Sequence, residues 1–345
     1  MDTRPPSLGH RLYFWFTLAT LSTVLPEVVT FNDPVPWDSA LGWYLGYPVY
    51  GLHVLVLGGF MFRHRLAGYA TLLAYGGLFG LFEGYLIKQL WNPNWGVELT
   101  ANVGGVRLFH TTMLVFFVHP ILAFVLPLLL AERLLLRPGR LTERLPARIQ
   151  GFRGTATMLV LLGVYLGVVL GGNLPGQAAI RQPLVSTVVL TGLGLVWRVG
   201  LWGHRYRLEE LLPTGRWLSG FAGVLFVLYP VYTVTIRPDA LPERLLPHAI
   251  VWGLYLLFAA TIVLTTWGTT PVSVPPRAGL TRRQVVALTG LFLGVLFVVA
   301  LVQAPTTQPG MTLTVLSFVG LGVVNCCLLV AVVGRGVVSR IVGTM

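Results

Sequence analysis

Charge is scarce in this chain. Only 10% of its 345 residues are charged, against 55% that are hydrophobic. So little charge cannot keep a soluble globule of this size in water. There are 12 acidic residues, and Lys88 is the single lysine beside 23 arginines. Cysteine is confined to Cys326 and Cys327. The two are adjacent and lack metal-type spacing, so buried inert thiols are expected rather than redox chemistry.

What the chain has in abundance is long apolar runs. Ten of them read as spans at 11–30, 41–62, 66–91, 107–132, 155–175, 183–203, 216–236, 246–267, 284–303 and 311–333. Each is about 20 residues or more, and a bilayer core of about 30 Å needs about 20 helical residues. The fold class is therefore all-α, a polytopic transmembrane helical bundle of about ten spans.

The arginines are sorted about those spans. If the N-terminus is cytoplasmic, 19 basic residues lie on the inside and only Lys88, Arg107, Arg181, Arg237 and Arg244 on the outside. This bias predicts two cytoplasmic termini in a cell-membrane protein, with 31–40, 92–106, 174–182, 237–245 and 304–310 outside. The net charge of +12 then reflects topology and contact with anionic lipid head groups, not nucleic-acid binding. Arg4, His10 and Arg11 precede an apolar run that ends in Pro26 and Glu27 with no small-x-small site, so an uncleaved first span is expected.

Three segments follow from the distribution of polar residues: an N-terminal four-span unit at 1–135 that carries them, a basic connector at 136–154 on the cytoplasmic side, and a six-span scaffold half at 155–345. The 133–153 loop carries arginines every few residues, with Pro138, Gly139 and Pro146 preventing one continuous helix. It is expected to lie on anionic head groups. In the scaffold half Asn173, His248 and Asn325 are the notable polar groups, and Gly163, Gly167 and Gly171 form a small-residue stripe suited to close helix contact. No internal repeat is evident, which counts against an inverted-repeat transporter.

Glu83 is the residue most in need of explanation. It follows an uncharged stretch of span 3 and lies about 12 Å from Trp91 along a helix rising about 1.5 Å per residue. A carboxylate there is costly unless paired or hydrated. Lys88 is five residues on, about 140° around the helix, where ion pairs at three or four are better placed; it is expected to snorkel to the outer interface. Gly76, Gly80 and Gly84 recur every four residues as a packing stripe, and Glu83 lies within about 20° of Gly76 in projection, facing inward. Span 4 returns with His110 near its outer end and His119 near its middle. Nine residues apart, they point in opposite directions unless Pro120 or Pro127 bends the helix. Helical spacing thus favours Glu83, Lys88 and His110 as one site open to the outer leaflet, leaving His119 and His53 at similar depth to pair with each other. Glu27, beside Pro26 at an interface, is expected to be solvated.

Two resemblances bear on this region. The stretch from Leu25 to about Leu135 resembles a group of uncharacterised polytopic prokaryotic membrane proteins. The shared parts read LPEVVTFNDPVPW, Glu83-Gly84-Tyr85-Leu86-Ile87-Lys88, Asn92-Pro93-Asn94-Trp95 and His110 here. The group brings no activity with it. Glu83 and Lys88 also resemble the first Glu and the basic position of the E-E-x-x-x-R helix in CPBP-type intramembrane proteases, which activate a water with Glu and His. Gly84 stands in place of the second Glu, and F-x-x-x-H is absent at His110 and at His119.

Three functions remain open on the sequence. In an intramembrane enzyme acting on a lipid or membrane peptide, Glu83 is the general base, His110 a second acid–base group and Lys88 an electrostatic clamp. In a proton-coupled transporter Glu83 is the protonation site and the histidines a relay. In a non-catalytic subunit or assembly factor Glu83 makes a structural hydrogen bond. Haem ligation by His53 and His119 is a further reading. A metal needs a third ligand that spacing does not supply, and neither a cofactor nor an oligomeric state is read from the sequence.

Overall fold

The structure, a computed structural model, describes residues 5–30, 40, 42–63, 68–92, 101–173, 178–266, 279–303 and 307–343. The proline-rich stretch after the first span, the N-P-N-W turn beyond Asn92, most of the loop at 31–40 and residues 304–306 lie outside the described residues.

A helix stands at each expected span. They are α1 Leu8–Thr30, α2 Gly42–Arg63, α3 Tyr69–Leu86, α4 Leu108–Leu135, α5 Phe152–Asn173, α6 Ala178–Leu195, α7 Gly215–Thr235, α8 Leu245–Thr266, α9 Arg282–Gln303 and α10 Thr307–Gly343. Among the described residues seven stretches are long and apolar enough to cross a membrane: α2, α4, α7, α8 and α9, together with Phe152–Gly171 of α5 and Val315–Val338 of α10. Helices are the natural outcome for such sequence, because they satisfy every backbone hydrogen bond within the segment. The protein is an all-α helical membrane bundle. Among the described residues one two-stranded element pairs Asn102–Val103 with Val106–Arg107. Gly104 and Gly105, at φ +58° and +90°, make the turn, a conformation glycine adopts without steric cost.

The chain forms two compact units. The first comprises Met1–Gly51, Leu126–Pro213 and Val272–Leu316; the second comprises Leu52–Val125, Thr214–Pro271 and Ser317–Met345. Each draws on chain from both sides of the 136–154 connector, and α2, α4 and α10 contribute to both.

In the first unit α5 packs along α9 through the expected glycine stripe. A Cβ on Gly163 would stand 3.1 Å from the Phe292 carbonyl oxygen, and one on Gly167 2.8 Å from that of Leu296. Backbones this close gain dispersion contacts that any larger side chain would forbid. The connector is anchored by its first residues. Buried Glu132 accepts hydrogen bonds from the amides of Thr142 (2.6 Å) and Leu141 (3.4 Å), at the N-terminus of a short helix, Arg140–Arg144, where an anion is favoured. Arg133, grouped on the sequence with the loop's arginines, is buried and donates to Thr155 Oγ1 and to the Gly151 carbonyl. Arg144, Arg148 and Arg153 are exposed.

Two smaller expectations are corrected. Glu27 is buried at 4% exposure rather than solvated. Cys327 is exposed and Cys326 half-buried, because Asn325 and Gly322 take the inward face of α10.

Candidate functional site

Glu83, Lys88, His110 and His119 all lie in the second unit, and the glycines of α3 determine how α3 and α4 meet. Gly76 faces Pro120. A Cβ on Gly80 would lie 2.7 Å from the Leu114 carbonyl oxygen, 2.9 Å from Val115 Cα and 3.2 Å from His119 Cβ. The stripe expected from the sequence therefore seats α3 on α4, with His119 against Gly80. The third glycine differs: Gly84 faces Leu90, in the turn that follows α3.

Three residues beyond Gly80, on the adjoining turn of α3, Glu83 reaches His119. Its Oε2 stands 3.1 Å from His119 Nε2, the two side chains being 8% and 1% exposed. Helical spacing favours His110 as the partner of Glu83, but the structure supplies His119. The reason is the winding of α4. Over Leu114–Val125 its turns are wide, of the π type, with Pro120 inside. Each residue of a wide turn advances less than the ~100° of an α-helix, so the projection that sets His110 and His119 apart does not apply. Pro120 brings no N–H to this stretch. Asn325 Nδ2, from α10, donates to the Phe116 carbonyl four residues earlier, at 2.8 Å, and the Tyr69 hydroxyl donates to Asn325 Oδ1 at 3.3 Å.

The tautomer of His119 follows from its other contact. Nδ1 is 2.9 Å from the Leu114 carbonyl oxygen. A carbonyl only accepts, so Nδ1 carries a hydrogen. In neutral His119 the Nε2 facing Glu83 is then bare. The nitrogen and the carboxyl oxygen stand at ion-pair distance, and an attractive contact between them requires one additional proton, held on either partner.

A second pair lies beside the first. His53 Nε2 is hydrogen-bonded to the Tyr229 hydroxyl of α7. The Phe79 ring packs on both histidines, with centroids 4.8 Å from His53 and 5.2 Å from His119. Phe82 packs on Tyr229 and Tyr255 at 5.3 and 5.1 Å. His53 and His119 thus face Tyr229 and Glu83, and the ring nitrogens engaged there are not offered to a haem iron.

Lys88 is fully buried rather than snorkelling. It sits just past α3 at φ +59°. Its Nζ donates to the carbonyls of Thr233 (2.8 Å), Tyr232 (3.3 Å) and Ile236. These carbonyls lie at the C-terminal end of α7, where intrahelical donors run out; that of Tyr232 also accepts from the Ile236 amide at 2.9 Å. An ammonium has three hydrogens, and each has an acceptor here. His110 is buried in the first turn of α4, edge-on to Phe109 at 5.3 Å. Of the three residues singled out on the sequence, Glu83 has a titratable partner in His119, and Lys88 belongs to the end of α7.

His119 was within reach of sequence reasoning. It lies near the middle of its span, and the adjacent Pro120 is a visible warning that regular helical projection fails. Arg237, which meets the α3 terminus as described below, and Glu132 carry no comparable signal.

Comparison with known proteins agrees with the architecture. An uncharacterized protein of Archaeoglobus fulgidus is 31% identical over 253 residues, covering 72% of this chain and 77% of that one. No solved structure matches. The profile of an uncharacterized membrane protein family matches residues 16–341. A multi-pass helical chain matched over nearly all of its length in this way belongs to that uncharacterized membrane protein family.

Proposed function

We propose that the protein is a proton-coupled membrane carrier whose protonation site is the Glu83–His119 pair. The observation that carries this reading is the commitment of His119 Nδ1 to the Leu114 carbonyl, which leaves the 3.1 Å contact with Glu83 dependent on a single shared proton. With the proton present, either a carboxylic acid donates to imidazole or a carboxylate meets imidazolium. With it absent, a carboxylate faces a nitrogen lone pair and the contact turns repulsive. The pair bridges α3 and α4 beside the backbone contacts at Gly76 and Gly80, so loss of the proton pushes on a tightly packed helix contact. Wide turns such as those of α4 recur at functional sites in helices. His53 and Tyr229 supply the next exchangeable proton positions.

The intramembrane-enzyme reading shares Glu83 as base. Its case is weakened by Lys88, whose three hydrogens are engaged with carbonyls rather than available to an oxyanion. The sorting of arginines supports a place in the cell membrane with both termini cytoplasmic.

The test uses purified protein in phosphatidylethanolamine–phosphatidylglycerol vesicles with a pH-sensitive dye inside. Panels of organic anions, organic cations and amphiphiles are applied under an imposed pH gradient. At least one class is expected to accumulate against its own gradient and move the dye signal, with Glu83→Gln abolishing both effects in a protein that still folds. Solute accumulation that Glu83→Gln leaves intact would overturn the proposal, as would turnover of a lipid or peptide without accumulation of any solute.

A further inference from the structure

The first unit contains a cavity of about 390 Å³, within the range of about 300–1,000 Å³ typical of small-molecule sites. No residue of the Glu83 cluster lines it. Its walls are apolar, with Leu21 of α1, Leu130 of α4, Leu162 of α5, Leu190 of α6 and Leu293 of α9 among them. The charged residues lining it are Arg198 and Arg282, and none of its lining residues is acidic.

The two arginines mark one end. Arg198 Nη2 donates to the Leu280 carbonyl at 2.8 Å, and Nη1 to that of Leu134 at 2.6 Å. Leu280 is two residues before Arg282, the first residue of α9. The Arg198 guanidinium is therefore fixed beside the start of α9, with Arg282 exposed next to it. The N-terminal end of α9 adds a partial positive charge at the same point. Thr281 and Gln284 cap it reciprocally, the Thr281 amide donating to Gln284 Oε1 at 2.9 Å and the Gln284 amide to Thr281 Oγ1 at 3.3 Å. A leucine-lined space closed at one end by two cations and a helix N-terminus complements a molecule with a hydrocarbon chain and an anionic head.

We propose that this cavity holds one acyl chain of an anionic phospholipid, with its phosphate group at Arg282 and Arg198. The bilayer supplies such chains at high local concentration. The cation pair selects for head groups with net negative charge, whereas a zwitterionic lipid places its own ammonium near the same arginines.

The experiment is native mass spectrometry of the full-length protein released from nanodiscs containing equal amounts of phosphatidylglycerol and phosphatidylcholine with identical chains. Wild type should retain phosphatidylglycerol over phosphatidylcholine by at least fivefold. Arg282→Gln, a change at an exposed side chain, should bring the ratio close to one. Leu162→Trp, which fills the cavity, should reduce retention of both lipids. Thermal unfolding in detergent verifies that each variant is folded. Equal retention of the two lipids by wild type would overturn the proposal, as would a preference that survives both variants. Retention of free fatty acid in place of phospholipid would overturn it as well.

Discussion

Lys88 and Arg237 cap each other's helices. Lys88 follows the C-terminal residue of the α3 cap and donates to the last carbonyls of α7. Arg237 follows the equivalent residue of α7 and donates from Nη1 to the Ile87 carbonyl at the end of α3, 3.3 Å away. Both residues take left-handed backbone angles, φ +59° and +48°, which turn the chain back on itself so that each cation reaches across. Cations at helix C-termini are favoured by the helix dipole as well as by the unpaired carbonyls.

Replacing Lys88 by Met keeps the length of the side chain and removes the buried donor from the Thr233 and Ile236 carbonyls, while that of Tyr232 keeps the Ile236 amide. A loss of about 1–3 kcal/mol is expected, measured as a lowered midpoint in reversible unfolding by sodium dodecyl sulfate. Arg237→Gln should cost less, since Arg237 is only half-buried. An unchanged midpoint for Lys88→Met, combined with lost activity, would instead return Lys88 to the role of an anion clamp.

Gly80→Leu should be severe. The new side chain meets the backbone at Leu114 and Val115, which cannot give way as a flexible side chain would, so the cost should sit at or above the usual 1–3 kcal/mol of overpacking. Gly220→Ala on α7 is the matched control. A Cβ there meets no atom within 4 Å, and a gain of about 0.5–1 kcal/mol is expected from the helix preference of alanine. Folding yield and thermal midpoint in detergent report both, and equal behaviour of the two variants would mean that α3 and α4 are not in close contact.

Asn325→Leu removes the donor that reaches the Phe116 carbonyl. About 0.5–1.5 kcal/mol of stability should be lost, and the wide turn that presents His119 should relax. Infrared difference spectra of Glu83, identified by their loss in Glu83→Gln, should then shift. A stability loss with unaltered carboxyl bands would show that the winding of α4 does not depend on Asn325.

Orientation is tested by cysteine labelling in intact cells on a background lacking Cys326 and Cys327. Asn102→Cys should react with an impermeant thiol reagent and Gln150→Cys should not. Reversal of that pattern would invert the topology.

The helices were legible because the apolar run lengths match a bilayer, and the α3 and α5 glycines because a four-residue spacing recurs at fixed angle on a regular helix. The partner of Glu83 was not legible for the same reason: helical projection holds only for a regular turn, and α4 departs from one where Pro120 enters. Lys88 illustrates another limit. Its distance from Glu83 correctly denies a local ion pair, but which acceptors it meets depends on α7, more than 100 residues later, whose proximity no local spacing records. Glu27 and Arg133 show that a charge near the end of an apolar run carries no mark of whether it turns outward or in.

The hydrogen bond from Asn325 to Phe116 spans 209 residues. A ribosome adding about 5–20 residues per second takes about 10–40 s to cover that distance. Throughout that interval α4 is made but lacks the donor from α10, and Thr112 lacks Gly322, which packs directly on it. The Glu83–His119 pair therefore reaches its final setting only once α10 has been made, so a chain stalled before α10 carries both residues without the helix that steadies them.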